Sequence, residues 1–372
     1  MIDPALLRAR CAATQPLWIG LEEEHMVLDA ETLDLAPRAA QLLGRVHGDP
    51  RFKLELPAAQ IEIATTPEPS VLAAADQLAL ARAELAAAAG ADLRLAGSGT
   101  HPFASARGVL NRGERYDRTH GEYGEIAERQ LVFGLHVHVS VGDADAAVAV
   151  HDALRSHLPE IAALAANAPF HAGADTRLAS VRPQISALLP RQGVPPAIGS
   201  LESYARELQW GARSGAVPHP RSWWWGLRLH PEFGTVEVRA PDAQTTVAET
   251  AAIAAIVQLL VADLAGRHAG GETLPVAPTW RIEENRRSAA RFGVAGEMAD
   301  LDSGVREPTA QRLLRLLDEL GELARRLGCD GALATARSMI EDGGPAAAQR
   351  RAAASGDLRD VVAWLAGRYG AA

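Results

Sequence analysis

The sequence predicts an α+β protein in which an antiparallel-rich sheet is covered by helices. Two observations carry that expectation. Strand-like segments of period two crowd into the first two thirds of the 372 residues, and Ala/Leu-rich helical segments fill the gaps between them and nearly everything afterwards. No repeat of 20–50 residues is visible. The expected organisation is one domain over residues 1–372, with a strand-rich active-site part at about 15–245 and a helical part at about 245–372.

The period-two stretches are LWIGLEEEHMVLD (17–29), KLELPAAQIEIATT (53–66), LRLAGSG (93–99), LVFGLHVHVSVG (131–142) and WWWGLRLHPEFGTVEVRA (223–240). Helical stretches are 70–90, 143–167 and 245–270, and everything from residue 280 onward reads helical. Asp143 stands where an N-cap belongs, its carboxylate able to accept a backbone N–H of the first turn. The Pro/Gly-bearing stretches 191–200 and 213–222 read as functional loops rather than linkers, because strand-like sequence resumes after them.

Composition narrows the function classes. With 48% hydrophobic and 22% charged residues the chain is ordinary globular material. A net charge of −9 argues against a general binder of nucleic acid or anionic membrane, while leaving room for anionic small substrates beside local arginines. Cys11 and Cys329 form no metal or redox spacing and fit a reducing compartment. The N-terminal stretch has no long apolar core of a secretory signal, and charged or polar residues interrupt the Ala-rich helices, so a soluble cytoplasmic protein is expected.

Alternation sends neighbouring side chains to opposite faces of a strand. Glu22 and Glu24 therefore share a face that Glu23 does not, and Glu62 faces away from Ile61 and Ile63. In GLHVHVSVG the valines form one face, and His136, His138 and Ser140 the other. Val236 and Val238 oppose Glu237 and Arg239. Four amphipathic strands with solvated polar faces would explain each segment singly. Such faces usually carry Thr, Lys, Ser and Gln, whereas here they carry Glu, His and Arg. If the segments pair in one sheet, four carboxylates share a concave surface and repel one another unless a cation neutralises them.

Same-face residues two apart stand roughly 7 Å apart, which suits ligands of adjacent ions better than two ligands of one small ion. Oxygen-rich ligation favours Mg²⁺ or Mn²⁺ over zinc, and Mg²⁺ commonly shares its shell with phosphates. The strand chemistry thus points to phosphoryl transfer on a metal–polyphosphate complex. No GxxxxGK[ST] or GxGxxG loop is present, so phosphate would be held by metals and arginines.

Arginines supply that anion side: Arg115 and Arg118, Arg177 and Arg182, Arg228, and Arg286, Arg287 and Arg291, each with a surface ion pair as its plainer explanation. The trio Trp223–Trp224–Trp225 reads as core and pocket wall rather than a nucleobase stack, and Asn285 and Asp242 receive no role.

Together these motifs resemble the glutamate–cysteine ligase type 2 family, the carboxylate–amine ligases that include YbdK-like bacterial proteins. The matching stretches are IGLEEEHMVLD, QIEIATTPEP, GSGTHPF, ERYDRT, EYGEIAERQLVFGLHVHVSVG, NAPFHAGADTRLASVR, GTVEVRAPDAQTT and EENRRSAARFG, in the family's order from about residue 18 to 293. The resemblance implies a glutamine synthetase-like catalytic fold, a curved antiparallel sheet forming a funnel with helices outside. It implies an ATP-dependent reaction in which the γ-carboxylate of glutamate becomes an acyl phosphate and is attacked by an amine, best known as cysteine. By motif position Glu22, Glu24, Glu62, His136 and Glu237 would hold Mg²⁺ (or Mn²⁺) and nucleotide phosphates, with His138 beside His136 on the funnel floor. Arg239 and Arg228 would be the catalytic residues, as partners of the transferred phosphoryl group or of the substrate carboxylates, and Arg115, Arg118, Arg177 and Arg182 would bind substrate.

The chain departs from the family pattern at His25, Ser140, Gly226 and Arg287, none a presumed ligand. Partners are expected to be small molecules only, with a homodimer compatible with the Ala-rich helices. A different amine acceptor, a metal-dependent hydrolase built on the HVH strand, and a non-catalytic binder are the other readings.

Overall fold

Seven strands form the central sheet: β1 (Ile19–Asp29), β2 (Phe52–Leu54), β3 (Gln60–Ala64), β4 (Leu93–Ala96), β5 (Leu135–Ser140), β6 (Leu227–His230) and β7 (Thr235–Val238). The structure is a computed structural model that describes residues 3–217, 219 and 222–370. The strand order is β2–β3–β1–β5–β7–β6, and every pairing is antiparallel. β4 continues the β5 side of β1: Met26 pairs with Gln60 of β3 on one flank and Ala96 of β4 on the other. The long β1 is therefore the backbone of the sheet.

Each expected period-two stretch contains a strand, and 53–66 and 223–240 each fold into two. Ile19, Leu21, Ile61, Ile63, Leu135, Val137, Val139, Leu227, Leu229, Val236 and Val238 all join one buried core cluster. Burying each such side chain contributes about 1.5–3 kcal/mol. A shift of one residue in β1 would turn its carboxylates into that core, so the apolar face sets the register that positions the polar one.

Nine helices matter for the site and its support: α1 (Val71–Ala89), α2 (Glu114–Tyr123), α3 (Ala144–Leu154), α4 (Leu158–Leu164), α5 (Val247–Ala269), α6 (Thr279–Phe292), α7 (Thr309–Leu327), α8 (Asp330–Glu341) and α9 (Leu358–Arg368). α1, α3 and α5 pack against the apolar face, and α7 and α8 pack behind α5. Asp143 caps α3 by accepting the Ala146 N–H, as expected. Thr246 and Glu249 close a reciprocal capping box at the start of α5.

Three expectations are corrected. The helix expected over 143–167 breaks after Leu154 and restarts at Leu158, because Pro159 has no N–H to give a continuous helix. The chain beyond 280 is not all helical: Glu297–Ala299 and Arg306–Pro308 pair as a hairpin whose turn is built on the Asp300 carboxylate and Gly304. α5 is by length and composition apolar enough to cross a membrane, yet 78% of its most apolar window is buried against other elements. Residues 191–200 form an extended loop ahead of the helix Leu201–Ser214, which takes up the first two residues of 213–222. Residues 218, 220 and 221 of that second stretch lie outside the described residues.

Candidate active site

Cross-strand register assembles the polar face. Lys53 stands opposite Glu62 and Glu62 opposite Glu24, so β2, β3 and β1 form one row. Glu22 stands opposite His136, and His138 opposite Glu237, which faces Arg228 in turn. Glu22 and His136, 114 positions apart, thus become neighbours only through pairing of β1 with β5. His136 Nδ1 lies 3.3 Å from Glu22 and 3.2 Å from the Arg239 Nη1. His138 Nε2 lies 3.7 Å from both Glu22 and Glu237. The Glu237 carboxylate, fully buried, accepts from Arg239 Nη1 at 2.6 Å and from Arg228 through both Nε and Nη2. Lys53 Nζ reaches Glu62 at 3.1 Å and Glu22 at 3.7 Å.

Burial and crowding divide these groups electrically. Burial pushes the Glu62 carboxyl up to about 8, and the nearby Glu22 and Glu55 charges add to the rise. Burial likewise lifts Glu24 to about 7 against the pull of Arg182. Glu55 is raised by burial as well. Glu22 goes the other way: burial opposes its charge, but hydrogen bonding to His136 and His138 outweighs that and lowers it. Glu237 is buried too, and Arg228, His138 and Arg239 hold it well below the usual carboxylate range. Burial brings His136 down to about 4, whereas the Glu237 and Glu22 carboxylates overcome burial and raise His138.

The donor set fits a divalent cation. Glu22, Glu62 and His136 offer ligand atoms within 4.8 Å of one another, and so do Glu22, His138 and Glu237. His138 Nε2 is a buried nitrogen with no hydrogen-bond partner. The Glu62 carboxyl, held up by burial and neighbouring charge, and the orphaned His138 Nε2 are both relieved by a cation. Each group is oxygen-rich with one imidazole, which suits Mg²⁺ or Mn²⁺ better than zinc. His138, expected beside the metal residues, falls inside a cation-capable group. Glu24, expected as a ligand, lies outside both groups and accepts the Gly134 N–H instead.

Two cavities open from this face. The larger, about 410 Å³, is bordered by Glu22, Lys53, Glu62, Arg228 and His230, with Arg115 and Arg118 of α2 along it. The smaller, about 170 Å³, contains Arg182, Ser180, Asp242 and Arg286. His136, Arg239, Glu24, Glu55 and Trp224 border both. Of the arginines expected at substrate, Arg115, Arg118 and Arg182 are brought together here. Arg177 is not: it is exposed, sits in left-handed backbone at φ 61° beside the hairpin Phe170–His171/Ala174–Asp175, and borders neither cavity.

Residues passed over in the sequence also belong here. Lys53 and Glu55 alternate in KLELP in phase with the acidic row, a readable signal, and Glu55 pairs with Arg115 at 3.2 Å. Asp242 accepts the Asn167 N–H at 2.7 Å and the Ser180 hydroxyl at 3.1 Å. Trp224 is pocket wall, while Asn285 holds both backbone groups of Ala299 and borders neither cavity.

Residues 18–363 match the model of glutamate-cysteine ligase family 2. A Rubrobacter xylanophilus protein named "Putative glutamate--cysteine ligase 2-3" is 38% identical over 369 residues, covering 97% of this chain and 99% of its own length. The chain belongs to glutamate-cysteine ligase family 2. A Micrococcus luteus member, "Putative glutamate--cysteine ligase 2", is 35% identical over 90% of this chain and 86% of its own. Family membership makes the protein a C–N bond-forming ligase of the carboxylate–amine type.

Solved structures of low identity share the fold. Glutamate–cysteine ligase of Francisella tularensis, in complex with AMP, superposes with a TM-score of 0.71 at 13% identity over 95% of this chain and 88% of that one. The bifunctional glutathione synthetase of Pasteurella multocida gives 0.69 at 14% identity over 99% of this chain and 53% of that one. The α+β architecture with an open antiparallel sheet is therefore that of the glutamate–cysteine ligases.

Proposed function

We propose that this ligase uses ATP to activate the γ-carboxylate of L-glutamate as an acyl phosphate and joins it to an amine, with L-cysteine as the first candidate. The observation that carries this reading is the single polar face on which Glu22, Glu62, Glu237, His136 and His138 meet Arg228 and Arg239 between two adjoining cavities. Glu22, Glu62 and His136, together with His138 and Glu237, would hold Mg²⁺ or Mn²⁺. Such a cation supplies charge neutralisation and alignment of the ATP phosphates.

The chain's own residues do the rest. Glu237 pins both guanidiniums, so Arg228 and Arg239 are oriented before substrate arrives. Arg239 borders both cavities, which suits it to carry charge on a phosphoryl group passing from one to the other. A carboxylate oxygen attacks the γ-phosphorus and ADP leaves. The amine nitrogen then attacks the acyl carbon, phosphate leaves, and the amine gives up a proton. No protein nucleophile is needed, and Cys11 and Cys329 are buried free thiols, which also supports a reducing compartment such as the cytoplasm.

A screen of amino acids and amines at fixed ATP, Mg²⁺ and glutamate tests the reading. ADP release is expected only with carboxylate, amine and divalent cation together. Turnover without ATP would replace it with metal-dependent hydrolysis.

A further inference from the structure

The triplet Glu22–Glu23–Glu24 sends two carboxylates into the funnel and one through the back of the sheet. Glu23 is fully buried there, and its partner Arg82 on α1 is fully buried too. The guanidinium uses all five of its N–H groups. Nε and Nη2 donate to Glu23 at 3.2 and 2.5 Å, Nη2 also to the Gln244 carbonyl, and Nη1 to the Thr245 and Tyr369 carbonyls. The other Glu23 oxygen accepts the Thr250 hydroxyl at 2.7 Å and the Gln244 N–H at 3.2 Å. Five separate parts of the chain converge on this pair: β1, α1, the 243–246 segment that follows Asp242, α5, and the residue after α9.

We propose that the Glu23–Arg82 pair is a positioning latch that holds β1 so that Glu22 and Glu24 keep their places on the cation-binding face. The inference rests on the reading that this face binds a divalent cation. Like charges opposite one another weaken strand pairing, and Glu24 stands directly opposite Glu62. The pair grips β1 from its back, and Glu23 is the residue between the two carboxylates. Core stability alone does not call for a buried ion pair, since well-packed apolar residues usually serve as well or better. The surroundings are built for close approach: a Cβ on Gly97 would meet the Gln244 carbonyl oxygen at 2.1 Å. His25 closes the cluster on the same side, its Nε2 3.6 Å from the Glu23 carboxylate and its ring edge-on to Tyr369 at 5.2 Å.

The test is Mn²⁺ binding to the nucleotide-free protein, read by electron paramagnetic resonance, beside thermal unfolding and the Mg²⁺ dependence of turnover. In the double variant Glu23→Gln/Arg82→Gln, an amide pair replaces the ion pair. Mn²⁺ affinity is expected to fall at least tenfold and the half-saturating Mg²⁺ concentration to rise in step, with the acceptor KM within twofold of the parent. A folded double variant that binds Mn²⁺ within twofold of the parent overturns the latch. So does a loss that moves the acceptor KM equally. Should the double variant not fold, a chain ending at Arg368 removes Tyr369, both the carbonyl that accepts from Arg82 and the buried ring that packs on its guanidinium, and is expected to weaken Mn²⁺ binding about threefold; unchanged binding overturns the latch. A parent protein that binds no Mn²⁺ would instead remove the cation site itself, and the proposed function with it.

Discussion

Glu22 belongs to both cation-capable groups, so its loss disables each of them at once. Glu22→Gln is expected to lower kcat/KM on the order of 100-fold or more, the scale for removing one preorganised charge-stabilising group, and steady-state kinetics with Mn²⁺ titration checks it. Glu62→Gln separates function from stability. It removes a carboxylate that burial and neighbouring charge keep from ionising, so with chelator present the variant should unfold at a higher temperature than the parent while its turnover falls. A lower unfolding temperature would contradict the electrostatic picture. Glu22, Glu62 and Glu237 were legible in the sequence because a central strand displays its faces by simple alternation. Glu55 was legible too, since KLEL keeps the alternation through residue 55, although the residue lies just past the end of β2. Asp242 was not, because its place depends on a long-range bridge with Gly134 that no local pattern encodes.

At the scale of elements, α2 and α4 make opposite predictions. α2 contributes Arg115 and Arg118 to the larger cavity yet buries none of its residues, and glycines with positive φ flank it at Gly113 and Gly124. Few buried contacts mean a low cost of local opening, so its amides should exchange with solvent orders of magnitude faster than those of β1 and β5. Slow exchange in α2 without ligand would contradict that. α4 is anchored instead by Glu160, which is buried between His157 at 2.7 Å and Arg312 of α7. Burial works against its charge, but the interactions with His157 and Arg312 outweigh it and bring the carboxyl down to about 2. A folded-state pKa below the ordinary value of about 4.5 stabilises the fold above pH 4.5, and that contribution fades as the pH falls toward 2. Urea unfolding of Glu160→Gln should therefore show a deficit of about 3 kcal/mol at neutral pH that shrinks below pH 4.5. A deficit independent of pH would assign Glu160 a packing role only.

On the scale of the whole molecule, the fold class was legible because its determinants are local: alternation in the strands, apolar helices between them, and caps such as Asp143. Which strands meet was not, and the site depends on that. β1 meets β5 across more than a hundred residues, and only their register sets Glu22 beside His136. The break at Pro159 and the late hairpin at Glu297–Pro308 escaped for a smaller reason, a single residue or a short turn overriding the helical composition around it. Arg177 escaped because an arginine in a motif does not disclose its direction. The same long-range register joins two cavities across His136 and Arg239, and that junction is what makes a phosphoryl group passed between substrates the central claim.

The most direct test follows an oxygen atom. Glutamate labelled with ¹⁸O in its γ-carboxylate is turned over with ATP, Mg²⁺ and the accepted amine, and the inorganic phosphate is analysed by mass spectrometry. The account predicts one labelled oxygen in the phosphate for each amide formed, with ADP as the nucleotide product. Label in AMP, or phosphate free of label while amide accumulates, would contradict it.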